Sequence, residues 1–210
     1  MPKKPSKFSR SVFVNCPFDA QYRPLLWSLL FTILECDLEP RIASESSDSG
    51  TARIDKIKSL IKSCRYSIHD ISRIEPVGAN KLPRFNMPFE LGLDLGCRQF
   101  GQKQLKSKKC LVLEKSRYRY QKVLSDIAGC DIKAHREDAK ALITQTRNWI
   151  CENISTGVIA GSMIWERYNI FISLVEEALI NSGCTKREIR SMPVPEYLSF
   201  VKPWIKANPS

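Results

Sequence analysis

The chain has 210 residues, of which 43% are hydrophobic and 26% charged, and its formal net charge is +11. This length and composition indicate a globular protein with one sizeable core and exclude a mainly disordered chain. The positive charge favours either anionic partners, such as nucleotides, or a solvated basic surface, and says nothing about the fold.

Eight cysteines are scattered singly through apolar segments, without a C-x-x-C pair and with only two histidines in the chain, so we expect no metal site. The sequence shows no secretory signal, which favours free thiols in a reducing compartment over disulfides. No apolar run approaches the roughly twenty residues that a membrane helix needs. We therefore expect a soluble cytoplasmic protein without a membrane partner, metal or cofactor.

The first elements follow from composition and periodicity. Residues 1–10 carry four basic residues, two prolines and no acid, which predicts a flexible basic tail. A strand over 11–15 precedes a helix over about 22–36 that is apolar through most of its circumference and must be buried. A second strand over 38–43 leads into a polar loop, residues 44–50, before the next helix.

Short strands and helices continue to alternate. A third strand over 66–69, a fourth over 109–113 and a weaker fifth over 131–134 precede a helix over about 138–153. This alternation predicts an α/β fold with a doubly wound parallel sheet.

The end of the chain reads as purely helical. Helical patterns over 162–181 and 196–207 carry apolar stripes that must pack in a core, on the sheet domain or against a second copy. We predict an α/β domain over 11–155 and a C-terminal helical extension over 156–210.

Ligands of parallel α/β sheets bind beyond the carboxyl ends of the strands. In this chain that rule brings together residues 15–19, 44–51 and 70–73 and the loop that leads into Asn86. We therefore look for the functional residues in these four segments.

The helix predicted after that loop has the sequence NMPFELGLDLGCRQFG, residues 86–101. Asn86 suits the N-cap, and Pro88 suits the first turn. Glu90 and Asp94 share one face, beside a neighbouring face that two glycines leave open to a ligand or a backbone. The alternative is that Glu90 only complements the helix dipole and that the glycines let the helix pack on the sheet.

Three segments together resemble one superfamily. Residues 15–19 (NCPFD), 69–73 (HDISR) and 86–92 (NMPFELG) are similar to the nucleoside 2-deoxyribosyltransferase and TIR-like superfamily, over about residues 11–135. The resemblance implies a flavodoxin-like sheet and a role for Glu90 at the anomeric carbon of a nucleoside or dinucleotide. It also implies assembly, because TIR-like sites are often completed by a neighbouring copy.

Glu90 has the chemistry for that role. Breaking an N-glycosidic bond creates positive charge on the ribose carbon, which a carboxylate stabilises or captures. Nicotinamide leaves oxidised NAD as a neutral group and needs no general acid, whereas adenine or hypoxanthine would need one. Asp70 or Asp94 would supply that proton if its pKa were raised.

Asp70 has three interpretations. The resemblance implies a contact with sugar or base. A carboxylate after the third strand is also the phosphate acceptor of receiver domains, but such domains want an acidic pair where this chain has Asn15 and Cys16. The third interpretation is a strand-end residue that caps its own loop.

The remaining candidates are strand-end polar groups. Ser72 and Arg73, with Arg53, suit a phosphate, unless these arginines are simply exposed. Asn15 and Asp19 suit ribose hydroxyls, or an Asx turn around a proline. The predicted substrate-binding set is Asn15, Phe18, Asp19, Ser72, Arg73, Asn86 and Asp94.

The segment 103–122 combines basic residues with two tyrosines, which would suit nucleic acid, but a strand divides it and we favour a solvated face. Our first hypothesis is an enzyme that cleaves the nicotinamide–ribose bond of NAD or a related nucleotide, with Glu90 and Asp70 as catalytic residues. The alternative is a nucleotide-sensing or adaptor module without turnover. In either case the C-terminal helices would support a homo-oligomer.

Overall fold

The computed structural model describes residues 6–45, 48–74, 85–154 and 159–209. Parts of the predicted tail and of two predicted loops, among them the loop before Asn86, lie outside the described residues. The helices are α1 (Lys7–Arg10), α2 (Arg23–Glu35), α3 (Arg53–Ser63), α4 (Asn86–Phe100), α5 (Ala139–Ile154), α6 (Gly161–Asn181), α7 (Lys186–Ser191) and α8 (Val194–Ala207). The strands are β1 (Ser11–Asn15), β2 (Glu39–Ile42), β3 (Tyr66–Asp70), β4 (Lys109–Glu114) and β5 (Lys133–Ala134).

The five strands form one all-parallel sheet in the order β2-β1-β3-β4-β5. Strands β1 and β3 are neighbours, with Asn15 opposite His69 at their carboxyl ends. The direction in which successive strands are added reverses between them, so this is the point where an open parallel sheet offers a crevice. The prediction of an α/β fold with a parallel sheet is confirmed.

Contacts divide the chain into two compact units, Met1–Pro17 with Leu38–Glu137, and Phe18–Asp37 with Asp138–Ser210. The first unit holds the sheet with α1, α3 and α4, and the second holds α2 and α5–α8. This division differs from the predicted boundary at residue 155, because α2 and α5 join the C-terminal helices. Sequence order alone does not reveal which helices share a core.

In the first unit, α3 and α4 pack on the sheet through two apolar clusters. One joins Phe13 of β1 to the α3 residues Ile57 and Ile61. The other joins Met87 and Leu91 of α4 to Val112 of β4 and the residues that follow β3. These contacts fix α4 against the carboxyl-end half of β3, and Glu90 therefore has a rigid support.

In the second unit, α2 is buried through most of its circumference, as predicted. The Phe31 ring of α2 lies 5.4 Å from that of Phe171 and 5.8 Å from that of Trp204. Trp27 stacks on Tyr197 at 4.1 Å. Aromatic packing therefore joins α2 to α6 and α8.

The end of the predicted flexible tail is ordered. Ser6 accepts a hydrogen bond from the Ser9 N–H as the N-cap of α1, and the Phe8 carbonyl accepts one from the Arg65 N–H at 3.1 Å. Lys7–Arg10 is therefore a helical turn, not a loose segment, because a short-range cap and a main-chain contact hold it. Among the described residues, no helix combines the length and apolar character that a membrane crossing needs.

Candidate functional site

The end of strand β1 places Asn15 beside strand β3 and the start of α4. Its side-chain amide nitrogen donates to the Met87 carbonyl at 3.0 Å and lies 3.0 Å from His69 Nδ1. Since a carbonyl only accepts, the amide nitrogen must face Met87, which fixes Oδ1 on the other side. Asn15 is 2% exposed, and among the described residues its Oδ1 has no hydrogen-bond partner. The carboxyl end of the sheet therefore contains a buried hydrogen-bond acceptor that a hydroxyl donor would satisfy.

Glu90 lies on the buried face of α4. It is 3% exposed, and its Oε1 lies 3.8 Å from Nη2 of Arg53 at the start of α3. Burial raises the pKa of Glu90, and the charge of Arg53 opposes part of that shift. The sequence left open whether burial or the helix N-terminus prevails, and in the structure burial does.

Two expectations about the start of α4 are wrong. The N-cap is Phe85, whose own backbone is helical (φ −74°, ψ −15°) and which makes no side-chain cap bond, and Asn86 is the first helical residue. Gly92 is exposed, and a Cβ built there meets nothing within 4 Å. Because Gly92 follows Glu90 by two positions, about 200° around the helix, the glycine faces away from the carboxylate instead of forming a notch beside it.

The Asp94 carboxylate is part of a buried network of polar side chains and does not lie at a surface that a substrate could contact. Its Oδ2 accepts from the Ser67 hydroxyl and lies 3.1 Å from His69 Nε2, while Lys108 Nζ lies 3.1 Å from Oδ1. Burial by itself would raise the pKa of Asp94, but His69, Lys108 and Ser67 together lower the pKa to about 2. Asp94 therefore does not meet the condition for a proton donor, a raised pKa, because these partners stabilise its anion.

Lys108 completes this network. Its ammonium donates to the carbonyls of Ile61 and Cys64 at 2.8 and 2.6 Å as well as facing Asp94. The ligand atoms of His69, Asp94 and Cys110 lie within 4.8 Å of one another, close enough to consider a metal. Burial raises the pKa of the Cys110 thiol to about 12, and Lys108 already supplies the cation, so the cluster suits an internal ion pair.

Asp70 is fully buried at the end of β3. Its Oδ1 accepts from the Ser72 N–H at 2.8 Å, which is the loop-capping contact that the sequence offered as one interpretation. Its Oδ2 lies 3.0 Å from Nε2 of His135, and His135 Nδ1 accepts from the Glu137 N–H at 3.0 Å. Asp70 thus faces a histidine that the sequence analysis left without a role.

Of the three residues predicted to bind phosphate, Arg73 already has a carboxylate partner. Arg73 donates to Glu137 at 2.8 Å, and Lys115 pairs with the same carboxylate at 2.7 Å. The hydrogen bond from Lys115, helped by the charge of Arg73, lowers the pKa of Glu137. Ser72 is buried, and its carbonyl accepts from Arg119 at 2.5 Å. Arg53, half of whose side chain is exposed, is better placed to meet a ligand.

The other predicted residues divide between the two units. Phe18 and Asp19 belong to the second unit, where Asp19 Oδ1 accepts from the Tyr22 N–H at 2.9 Å, a turn contact before α2. Asn86 is exposed in the first unit. The structure therefore groups Asn15, Asp70, Ser72, Arg73, Asn86, Glu90 and Asp94 in the sheet-containing unit.

Three partners of the candidate residues were not predicted from the sequence: His69, His135 and Lys108. The chain has only two histidines, and both follow or end a strand, which was the available signal. No such signal in the sequence marked Lys108, because it precedes β4 within a run of similar basic residues.

Comparison with known proteins gives no information about this site. No family model matches the sequence, and neither a curated protein nor a solved structure matches it significantly.

Proposed function

We propose that the chain is a cytoplasmic nucleotide N-glycosidase of TIR-like, doubly wound flavodoxin-like fold that cleaves the nicotinamide–ribose bond of NAD or a related nucleotide. The observation that carries the proposal is the position of Glu90, a buried carboxyl on α4 that lies 3.8 Å from the half-exposed Arg53, whose charge opposes the rise in pKa that burial causes. Burial of a carboxyl group beside a specific charged partner marks a candidate functional site.

In the proposed reaction, Glu90 is the main residue that acts on the substrate. As the bond between C1′ and the nicotinamide nitrogen breaks, the electron pair leaves with the base and positive charge develops on the ribose. The Glu90 carboxylate stabilises this charge or bonds to C1′. Water then bonds to C1′, displaces Glu90 where that bond has formed, and releases a proton to the solvent. No proton need be given to a neutral nicotinamide, which agrees with the loss of Asp94 as an acid.

Asn15 supports the proposal that a sugar binds at the carboxyl end of the sheet. Its Oδ1 is buried and lacks a partner within the described part of the chain, and a ribose hydroxyl is a donor of the right chemistry. The strand order places Asn15 at the point between β1 and β3 where flavodoxin-like sheets bind their ligands.

Arg53 and Phe89 extend the proposed site toward the rest of a nucleotide. Arg53 carries an exposed guanidinium that suits a phosphate. Phe89, next to Glu90 in α4, is 56% exposed and offers a ring on which a base can stack. Asp70 keeps a positioning role, since it holds the loop after β3 through Ser72.

The proposal is tested by calorimetry with NAD, ADP-ribose and simple nucleosides, followed by chromatography of the same mixtures. We expect NAD to bind and nicotinamide to accumulate, and we expect Asn15→Ala to weaken binding by about tenfold, because it removes the acceptor for a sugar hydroxyl. Asn169→Ala, at an exposed asparagine of α6, is the control. Binding without product would instead support the nucleotide-sensing or adaptor module, and neither binding nor product would contradict both.

A further inference from the structure

The second unit contains a cavity that the proposed function does not use. Its volume is about 560 Å³, within the range of small-molecule sites. Residues of α2, α6, α7 and α8 and of the segments before α2 and between α7 and α8 line it, and all of them belong to the second unit.

The cavity wall is mostly apolar because its aromatic residues use their polar atoms elsewhere. The Tyr197 hydroxyl donates to the Trp27 carbonyl at 3.0 Å, and the Tyr168 hydroxyl to the Pro24 carbonyl at 3.4 Å. Both phenols thus present carbon to the cavity, as do Ile172 and Val175. A ligand must therefore carry an apolar body.

The charges around this wall are mainly positive. Arg23, Lys186 and Arg190 line the cavity, against one carboxylate, Glu176. In the part of the chain that the structure describes, no ion pair neutralises Lys186 or Arg190. The imbalance favours an anion.

Arg23 adds an unsatisfied donor to this imbalance. Its guanidinium lies 5.2 Å from the centre of the Trp27 ring and donates through Nη1 to the Met192 carbonyl at 2.9 Å. These contacts hold the guanidinium in place, but its buried Nε has no partner among the described residues. An anionic acceptor would satisfy this N–H.

We propose that the second unit binds a small amphipathic carboxylate, with its apolar chain against α2 and α6 and its carboxylate near Arg23, Lys186 and Arg190. The carboxylate supplies what the cavity lacks, a counter-charge and an acceptor, and the chain covers the exposed carbon surface. This site is independent of Glu90 and of any action on nucleotides.

Octanoate is the probe, in calorimetric titrations of the full chain. We expect saturable one-to-one binding that Val175→Trp abolishes by filling the cavity. Ser173→Trp, two residues earlier on α6 and exposed, is the matched control and should bind octanoate as the unaltered chain does. Absence of saturable binding, or equal loss in both variants, would overturn the proposal.

The charge requirement is tested separately. The exposed pair Lys186→Met with Arg190→Met should weaken octanoate binding about tenfold and leave octanol binding unchanged, because two unneutralised cations are removed. Lys103→Met with Lys106→Met, exposed in the first unit, is the control pair. Octylammonium binding as tightly as octanoate, or unchanged octanoate affinity in the cavity pair, would contradict a carboxylate as the ligand.

Discussion

Glu90 and Asp94 lie four residues apart on the buried side of α4, and their surroundings shift their pKa values in opposite directions. Burial raises the pKa of Glu90 against a single cation at 3.8 Å, whereas three hydrogen-bonding or charged partners outweigh the same burial at Asp94. Their spacing was visible in the sequence, but their partners were not. Glu90 is therefore suited to chemistry and Asp94 to structure.

The low pKa of Asp94 predicts acid sensitivity. Because the folded pKa, about 2, lies below the ordinary value of 3.8, this carboxylate stabilises the fold fully above about pH 4. That contribution, about 2 kcal/mol, is lost as the pH falls toward 2. Urea unfolding should show that the stability difference between the unaltered chain and Asp94→Asn shrinks over this interval. A difference that does not change with pH would contradict the lowered pKa.

The raised pKa of Glu90 predicts the opposite dependence of stability on pH. Its folded pKa is raised, so its contribution to stability is complete below the unfolded value, 4.5, and is lost as the pH rises through the folded value. We expect Glu90→Gln to gain stability relative to the unaltered chain as the pH rises toward neutrality. Thermal unfolding over a pH series measures this gain, with the exposed Glu177→Gln as control. A relative loss on raising the pH would show that Glu90 is stabilised as an anion.

At the scale of elements, the helices and strands were predictable to within a few residues at most ends because their apolar periodicity is local. The errors arose at caps: α1 and α7, which were not predicted, depend on the Ser6 and Thr185 caps, and α4 begins at Asn86, the residue that was predicted to cap it. The network around α4 joins residues far apart in sequence, such as Asn15 with His69 and Ser67 with Asp94. No local pattern reveals such pairs, so only part of the candidate site could be predicted.

Replacing Lys108 tests whether that network stabilises the protein. Lys108→Met should destabilise the protein by about 3–5 kcal/mol, since it leaves the buried Asp94 carboxylate without its cation. Lys106→Met, two residues earlier and exposed, should cost less than about 0.5 kcal/mol. Denaturant unfolding provides both values, and the double variant Lys108→Met with Asp94→Asn should recover part of the loss. Equal costs for Lys108→Met and Lys106→Met would show that the ion pair is unimportant.

At the scale of the whole molecule, α6 bears on the predicted homo-oligomer. Met163, Ile170 and Leu174 lie on one side of this helix and are about half-exposed. If the C-terminal helices assemble the protein, Ile170→Lys should shift its sedimentation from oligomer toward monomer, whereas Ser173→Lys on another side should not. Sedimentation of the unaltered chain as a monomer at every concentration would contradict the predicted assembly.

The rate at which nicotinamide is released from NAD, compared between the unaltered chain and Glu90→Gln, tests the proposed activity most directly. Removing the charge that faces C1′ should lower this rate by at least about a hundredfold while NAD still binds, because the carboxylate acts on the transition state. Glu177→Gln should release nicotinamide at the unaltered rate. Equal release by Glu90→Gln and the unaltered chain would show that Glu90 is not the catalytic carboxylate.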